Sequence, residues 1–461
     1  MEVSSFEFRI FKVEMPRLTC FRNLAASAVL NTPAMKSTLL SSLLALTCAL
    51  HAADWPRFLG PNGAAVVKDA DVPLTWSDSE NIRWKFETPG PGSSSPIVSG
   101  GRVFLTCWSG YGDKEGAGDI SKLKRHLLCL DLEKGVKLWE AVIPSMAGED
   151  PWQGFITEHG YATHTPVTDG AHVFVFFGKT GAMAFDMEGN QVWHTPLGSG
   201  SGRNRWGSGG SPVLHGDMLI VNASDESRAF FALDKKTGKE IWKADGDAVG
   251  MAYGTPSLIE SGGRTDLVVA LAEEVWGMNP ETGKLRWFAT HRLPGNVSPT
   301  IVHDATTAYL YGGYPTAGSV AVKLGGKGDV TRSHIVWSKS TSSYIPTPIL
   351  HEGRLYVVND AGFALCVDAA TGEDIYRERV IDSGGGRGRG KPFYASPVLV
   401  GDRLYCVSRR GGTYVIAARP EYQKLAHNVL SLDDSQFHGT PAVLPDGLLL
   451  RSDKALYRIG K

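Results

Sequence analysis

Charge of either sign is scarcely in excess in this chain. Over 461 residues, 47 Lys and Arg stand against 48 Asp and Glu, a formal net charge of −1. The basic surplus that marks a dedicated nucleic-acid binder is missing. Cysteine is scarce: there are six, no two of them adjacent, and neither a CxxC metal pattern nor a c-type haem CxxCH occurs. Past residue 53 only Cys107, Cys129, Cys366 and Cys406 remain, too few for a dense disulfide framework. Three of them sit in strand-like runs and read as small buried hydrophobes; an oxidising compartment would still allow a Cys107–Cys129 bridge across one hairpin. No stretch past residue 53 reaches the ~18 apolar residues of a membrane span. What is abundant is glycine (54), with 25 Pro and 12 Trp. Gly and Pro with many aromatics point to short strands joined by tight turns.

From Met35 the chain reads MKSTLLSSLLALTCALHAADW: one cation, Lys36, an apolar run from Leu39 to Leu50, then Ala52 and Ala53. This layout predicts a signal peptide over 35–53 and a periplasmic or secreted protein. Translation is expected to start at Met35, leaving 1–34 as a non-native or disordered extension. Thr47 is too large to precede a lipidated Cys48.

One phrase recurs eight times: Ser-Pro or Thr-Pro, then alternating apolar residues about a Gly turn, as in SPIVSGGRVFL at Ser95, SPVLHGDMLIV at Ser211 and SPVLVGDRLYCV at Ser396. Its prolines are 96, 166, 212, 256, 299, 348, 397 and 441, so six of the seven intervals lie between 43 and 49 residues. Strand patterning at such a period means a propeller or an array. A second phrase follows, an Asx-to-Gly hairpin turn closed by an aromatic: LCLDLEKGVKLW to Trp139, MAFDMEGNQVW to Trp193, FALDKKTGKEIW to Trp242, WGMNPETGKLRW to Trp287, HIVW to Trp337 and LCVDAATGEDIY to Tyr376. Each repeat reads as four antiparallel strands, with Pro at the start of the first, where a strand tolerates it. The eighth repeat stops at KALYRIGK before a fourth strand, while NIRWKFET, with Trp84, precedes the first as an orphan. Docking the orphan into blade eight would close the ring and protect its edges. The expected fold is therefore all-β: an eight-bladed propeller over 54–461, four strands per blade, closed by an N-terminal strand.

These phrases resemble the pyrroloquinoline-quinone (PQQ) type propeller repeat with its terminal Trp docking motif, over residues 54–461. DWPRFLGPNG and NIRWKFETPGPGSSSP also look like secreted bacterial PQQ-like proteins. The resemblance implies two classes. Quinoprotein dehydrogenases hold PQQ and Ca²⁺ on the axis and oxidise alcohols or sugars, typically with adjacent cysteines that this chain lacks. Non-catalytic scaffolds, such as the outer-membrane barrel-assembly propeller lipoprotein, bind partner proteins. The favoured expectation is a non-catalytic binding or scaffolding module with no cofactor and no nucleic acid, a monomer whose partner is a protein or a small anionic ligand. A PQQ-dependent dehydrogenase with an atypical pocket is the alternative.

In a propeller the loops entering the first strands converge on one end of the axis. Here they carry Glu158, His159 and His164; Arg203, Arg205 and Trp206; and Arg387, Arg389, Lys391 and Tyr394. Arg forks suit carboxylate or phosphate, and Trp206 or Tyr394 would stack. An anionic ligand or acidic partner segment at this mouth is the expectation. Glu158, His159 and His164 as metal ligands are a weaker reading, because a lone His pair in a loop is weak evidence.

Overall fold

The computed structural model describes residues 54–113, 117–381 and 391–461. The expected signal peptide over 35–53 and the extension over 1–34 lie outside the described residues, as do Arg387 and Arg389.

Eight antiparallel sheets follow one another along the chain, at 97–144, 167–195, 213–245, 257–290, 302–339, 349–379, 398–428 and 442–460. We call them blades 1 to 8. Each starts where a Ser/Thr-Pro ends the entry loop, since Pro cannot donate to a ladder. The second and third strands are buried on both faces, as in Phe363–Asp368. Fourth strands alternate: Glu240–Asp245 buries Trp242 and exposes its neighbours. Blade 4 gains a parallel strand, Gly328–Asp329, from an insertion in blade 5. Blade 7 gains Val66–Val67, parallel to Val398–Val400.

The ring closes as the orphan strand suggests. Ile82–Glu87 pairs antiparallel with Ala455–Gly460, placing Trp84 opposite Arg458. Trp84 then reaches the next blade, its Nε1 donating to Leu132 O at 2.9 Å. Trp139, Trp193, Trp242 and Trp337 repeat the contact, donating to carbonyls of Met187, Lys235, Pro280 and Ala369. Each indole lies over the glycine of the turn it docks on; a Cβ at Gly135 would overlap the Trp84 ring. Arg458 staples the same seam, donating to Leu132 O and pairing with Asp446. Trp287 departs from the pattern. Its indole donates to Asp266 Oδ2 within its own blade, at 2.8 Å.

The leading segment attaches to the inner strands. Trp55 bridges Val98 of blade 1, Pro56 accepts from Thr168 of blade 2, and Asp71 donates to Pro445 of blade 8. A Cys107–Cys129 bridge is excluded by register. Cys107 pairs with His126 and Cys129 with Phe104, three rungs apart on opposite sheet faces. Their side chains enter different clusters, and all four described cysteines are buried free thiols.

Candidate functional site: an axial cavity and its side chamber

The Ser/Thr of the repeated phrase form a girdle around the axis. In six of the eight junctions, the backbone N–H at this position donates to the hydroxyl of the next blade: Ser95 to Thr165, Thr165 to Ser211, Ser211 to Thr255, Thr300 to Thr347, Thr347 to Ser396 and Ser396 to Thr440, all at 2.9–3.0 Å. In blade 5 the registered residue is Thr300, two past the Ser298 of the phrase. Arg451 spans the seam between blades 8 and 1 by donating to Ser94 O at 3.0 Å.

This girdle walls a cavity of ≈ 170 Å³ that Phe58 of the leading segment also lines. Phe155, Trp206, Tyr253, Tyr344 and Tyr394 add aromatic wall. Phe155 and Trp206 lie 4.5 Å apart by ring centroid, and Tyr314 touches Phe155, Trp206 and Tyr344. Arg409 packs over the Tyr394 ring and pairs with Glu158 at 2.6 Å. Lys391 lies over Tyr344 and pairs with Asp360 at 3.0 Å. His438 shares the wall beside Tyr394, and burial lowers its pKa to about 3, so it is neutral at ordinary pH.

Of the residues singled out in the sequence, Trp206, Tyr394, Glu158 and His159 line this cavity. Arg203 and Arg205 are exposed on the loop that bears Trp206, and the Lys391 charge is already partnered. The metal reading of Glu158, His159 and His164 does not fit the geometry. His159 uses both ring nitrogens, with Thr163 Oγ1 at 2.6 Å and Trp206 O at 2.7 Å. His164 turns away into a second cavity, of ≈ 30 Å³, that has Thr163 and Ser208 in common with the first.

Sequence reasoning missed this side chamber. Arg125–Glu149 (2.8 Å) and Lys179–Asp150 (3.0 Å) are ion pairs in its wall, with all four side chains buried. Asp225 and Glu226 complete it, on the one-turn helix Ser224–Ser227 that interrupts the hairpin of blade 3. Glu226 Oε1 accepts from Ser208 at 2.5 Å. Burial raises the Asp225 pKa to about 8 and that of Glu226 to about 7. The available signal was two acids inside an apolar hairpin, VNASDESRAF.

A PQQ and calcium site can be tested against these residues. Calcium takes six to eight oxygen ligands, rich in carboxylate. Among the described residues the one carboxylate on the axial wall, Glu158, is bound to Arg409. Among the described residues no three His, Cys, Asp or Glu side chains converge to hold a metal. The donor set does not fit that cofactor pair.

Eight four-stranded blades joined by docked tryptophans around an axial cavity define a PQQ-type propeller. The family model described as outer membrane protein assembly factor BamB matches residues 123–378, more than half the chain, and the chain belongs to that family. No curated protein matches it in sequence. Among solved structures, BamB from Moraxella catarrhalis is 12% identical with a TM-score of 0.55, covering 82% of this chain and 99% of its own. The quinohemoprotein alcohol dehydrogenase from Comamonas testosteroni is 12% identical with a TM-score of 0.59, covering 89% and 81%. A europium-containing methanol dehydrogenase gives 11% and 0.55, covering 87% and 90%. At these identities the likeness is one of fold, shared by a scaffold and by dehydrogenases.

Proposed function

We propose that this protein is a non-catalytic binding or scaffolding propeller that receives a ligand or an acidic partner segment at the axial mouth. The carrying observation is the chemistry of the wall. Among the described residues it offers aromatic faces, Phe58 and hydroxyls, while its one carboxylate, Glu158, is held by Arg409. Such a surface stacks and positions a guest. Exposed Arg203 and Arg205 supply the basic rim that an anionic group would meet. The family description, an outer-membrane assembly factor, supports a protein partner, and the leader-like run over 35–53 supports a periplasmic or secreted location.

Two measurements on the full chain test the reading. Titration with PQQ and Ca²⁺ should give neither stoichiometric uptake by absorbance nor dye-linked oxidation of ethanol. A Glu-rich hexapeptide should bind by calorimetry, and R203A/R205A should weaken it at least threefold. Turnover with PQQ would restore the dehydrogenase reading.

A further inference from the structure

The side chamber holds an imbalance that the fold does not explain. Of its four acids, Glu149 and Asp150 form ion pairs with Arg125 and Lys179, while Asp225 and Glu226 form none and feel Lys179 only at longer range. Both Asp225 oxygens and Glu226 Oε2 are buried without a hydrogen-bond partner, on residues 4% and 5% exposed. The Gly202 backbone lies against the Asp225 carboxylate without supplying a bond of normal geometry. His164, 5% exposed, has an orphan Nδ1. With Glu226 ionised, the hydroxyl of Ser208 is spent on Oε1, so Ser208 accepts from His164 Nε2–H at 3.1 Å. That leaves Nδ1 a bare lone pair. With Asp225 and Glu226 both ionised, the chamber presents four orphan acceptors and, within the same wall, no orphan donor.

A buried acceptor left without a donor destabilises the fold, because it has lost its water and gained nothing in return. A guest with several donors on one compact centre would remove that cost, and a primary ammonium carries three N–H donors and no acceptor. The size agrees: ≈ 30 Å³ admits a centre no larger than a water or two. Among the described residues no group of three His, Cys, Asp or Glu is arranged to hold a metal ion. The common walls, Thr163 and Ser208, put the chamber directly beside the aromatic cavity.

We propose that the side chamber is the ammonium subsite of the axial site: the guest carries a primary amine that enters between Asp225, Glu226 and His164 while its body lies along Trp206 and Phe155. The inference rests on the axial cavity being the binding site, and it adds a cationic end to a ligand whose anionic end meets the rim. The amine belongs either to a free small molecule or to a lysine of the partner segment.

Calorimetry on the full chain at pH 8.5 separates these sources. One probe pair is phenethylamine with phenethyl alcohol; the other is N-acetyl-lysine methylamide with its norleucine counterpart. In at least one pair the amine should bind tenfold or more tighter than its neutral partner, and the responding pair identifies the source. D225N/E226Q should abolish the preference. The preference in the unmutated protein should also grow from pH 6 to 8.5. The ammonium displaces protons from Asp225 and Glu226, and the other groups facing them are Glu149, Asp150, Lys179, Arg125, His164 and Tyr253. An amine that binds no tighter than its neutral partner, a preference that survives D225N/E226Q, or a preference flat with pH overturns the proposal. The pH arm stands if the double variant does not fold. Binding of the neutral probes alone leaves the axial reading intact, whereas binding of no probe removes both.

Discussion

Replacing Trp84 by alanine tests ring closure at the single seam where the two ends of the propeller meet. The indole donates to Leu132 O at 2.9 Å and covers Gly135. Trp-to-Ala changes in cores cost about 3–5 kcal/mol; Trp84 is only half-buried, so about 3 kcal/mol is the working figure. Unfolding residues 54–461 carries an entropy of roughly 0.9 kcal/mol/K, at ~2.1 cal/mol/K per residue. The expected fall in Tm is therefore about 3–4 °C. Trp193→Ala is the matched control, since its Nε1 makes the same bond to Lys235 O at 2.9 Å between blades that are continuous in sequence. Both variants should lose similar Tm by calorimetry. Only Trp84→Ala should accelerate amide exchange in Ala455–Gly460, because its strand is the sole partner on that edge. Equal exchange at that strand in the two variants would refute the view that docking of Trp84 holds the seam.

Two further outcomes follow from the buried groups. The carboxyls of Asp225 and Glu226 have folded pKa values near 8 and 7, above their unfolded values, so the folded state binds more protons and stability is lost as pH rises from about 4 through 8. D225N/E226Q should accordingly raise Tm relative to the parent at pH 8.5 and change it little at pH 5; an equal effect at both would show that these acids do not titrate in the folded protein. Burial pushes the thiols of Cys107 and Cys129 up to about 12. A thiol reagent at pH 8 should therefore leave Cys107, Cys129, Cys366 and Cys406 unreacted in the native protein, and all four should react after denaturation without reductant.

Legibility in the sequence followed how local each interaction is. Trp139, Trp193 and Trp242 could be read as docking residues because the turn each one meets carries the same Asx-to-Gly chemistry in the next repeat. Trp287 sits at the same place in its phrase yet turns onto Asp266, because blade 5 replaces the expected turn with the insertion that pairs as Gly328–Asp329. The identity of Thr300 as the girdle residue likewise depends on its neighbour in another blade. At the site, Trp206 and Tyr394 were visible as aromatics in entry loops. Arg203 and Arg205 were visible too, but a sequence does not reveal that they stay at the surface while Lys391 finds Asp360. The side chamber was hidden because its charged residues come from four separate stretches, and only folding shows that two bases must serve four acids.

The fastening of Ile82–Glu87 to Ala455–Gly460 also has a bearing on biogenesis. Arg83 donates to the carbonyl of Lys461, across 378 positions of sequence. As the chain is delivered from its amino end, blades 1 to 7 can form one by one, but the last circumferential bond waits for Ala455–Gly460 to follow. Until then the half-built disc has an uncovered rim at each end, and the chamber on its axis lacks one side. Guest uptake would then report that the eighth blade was complete, and a chain cut short before Ala455–Gly460 should be recognisable as an empty, self-associating product.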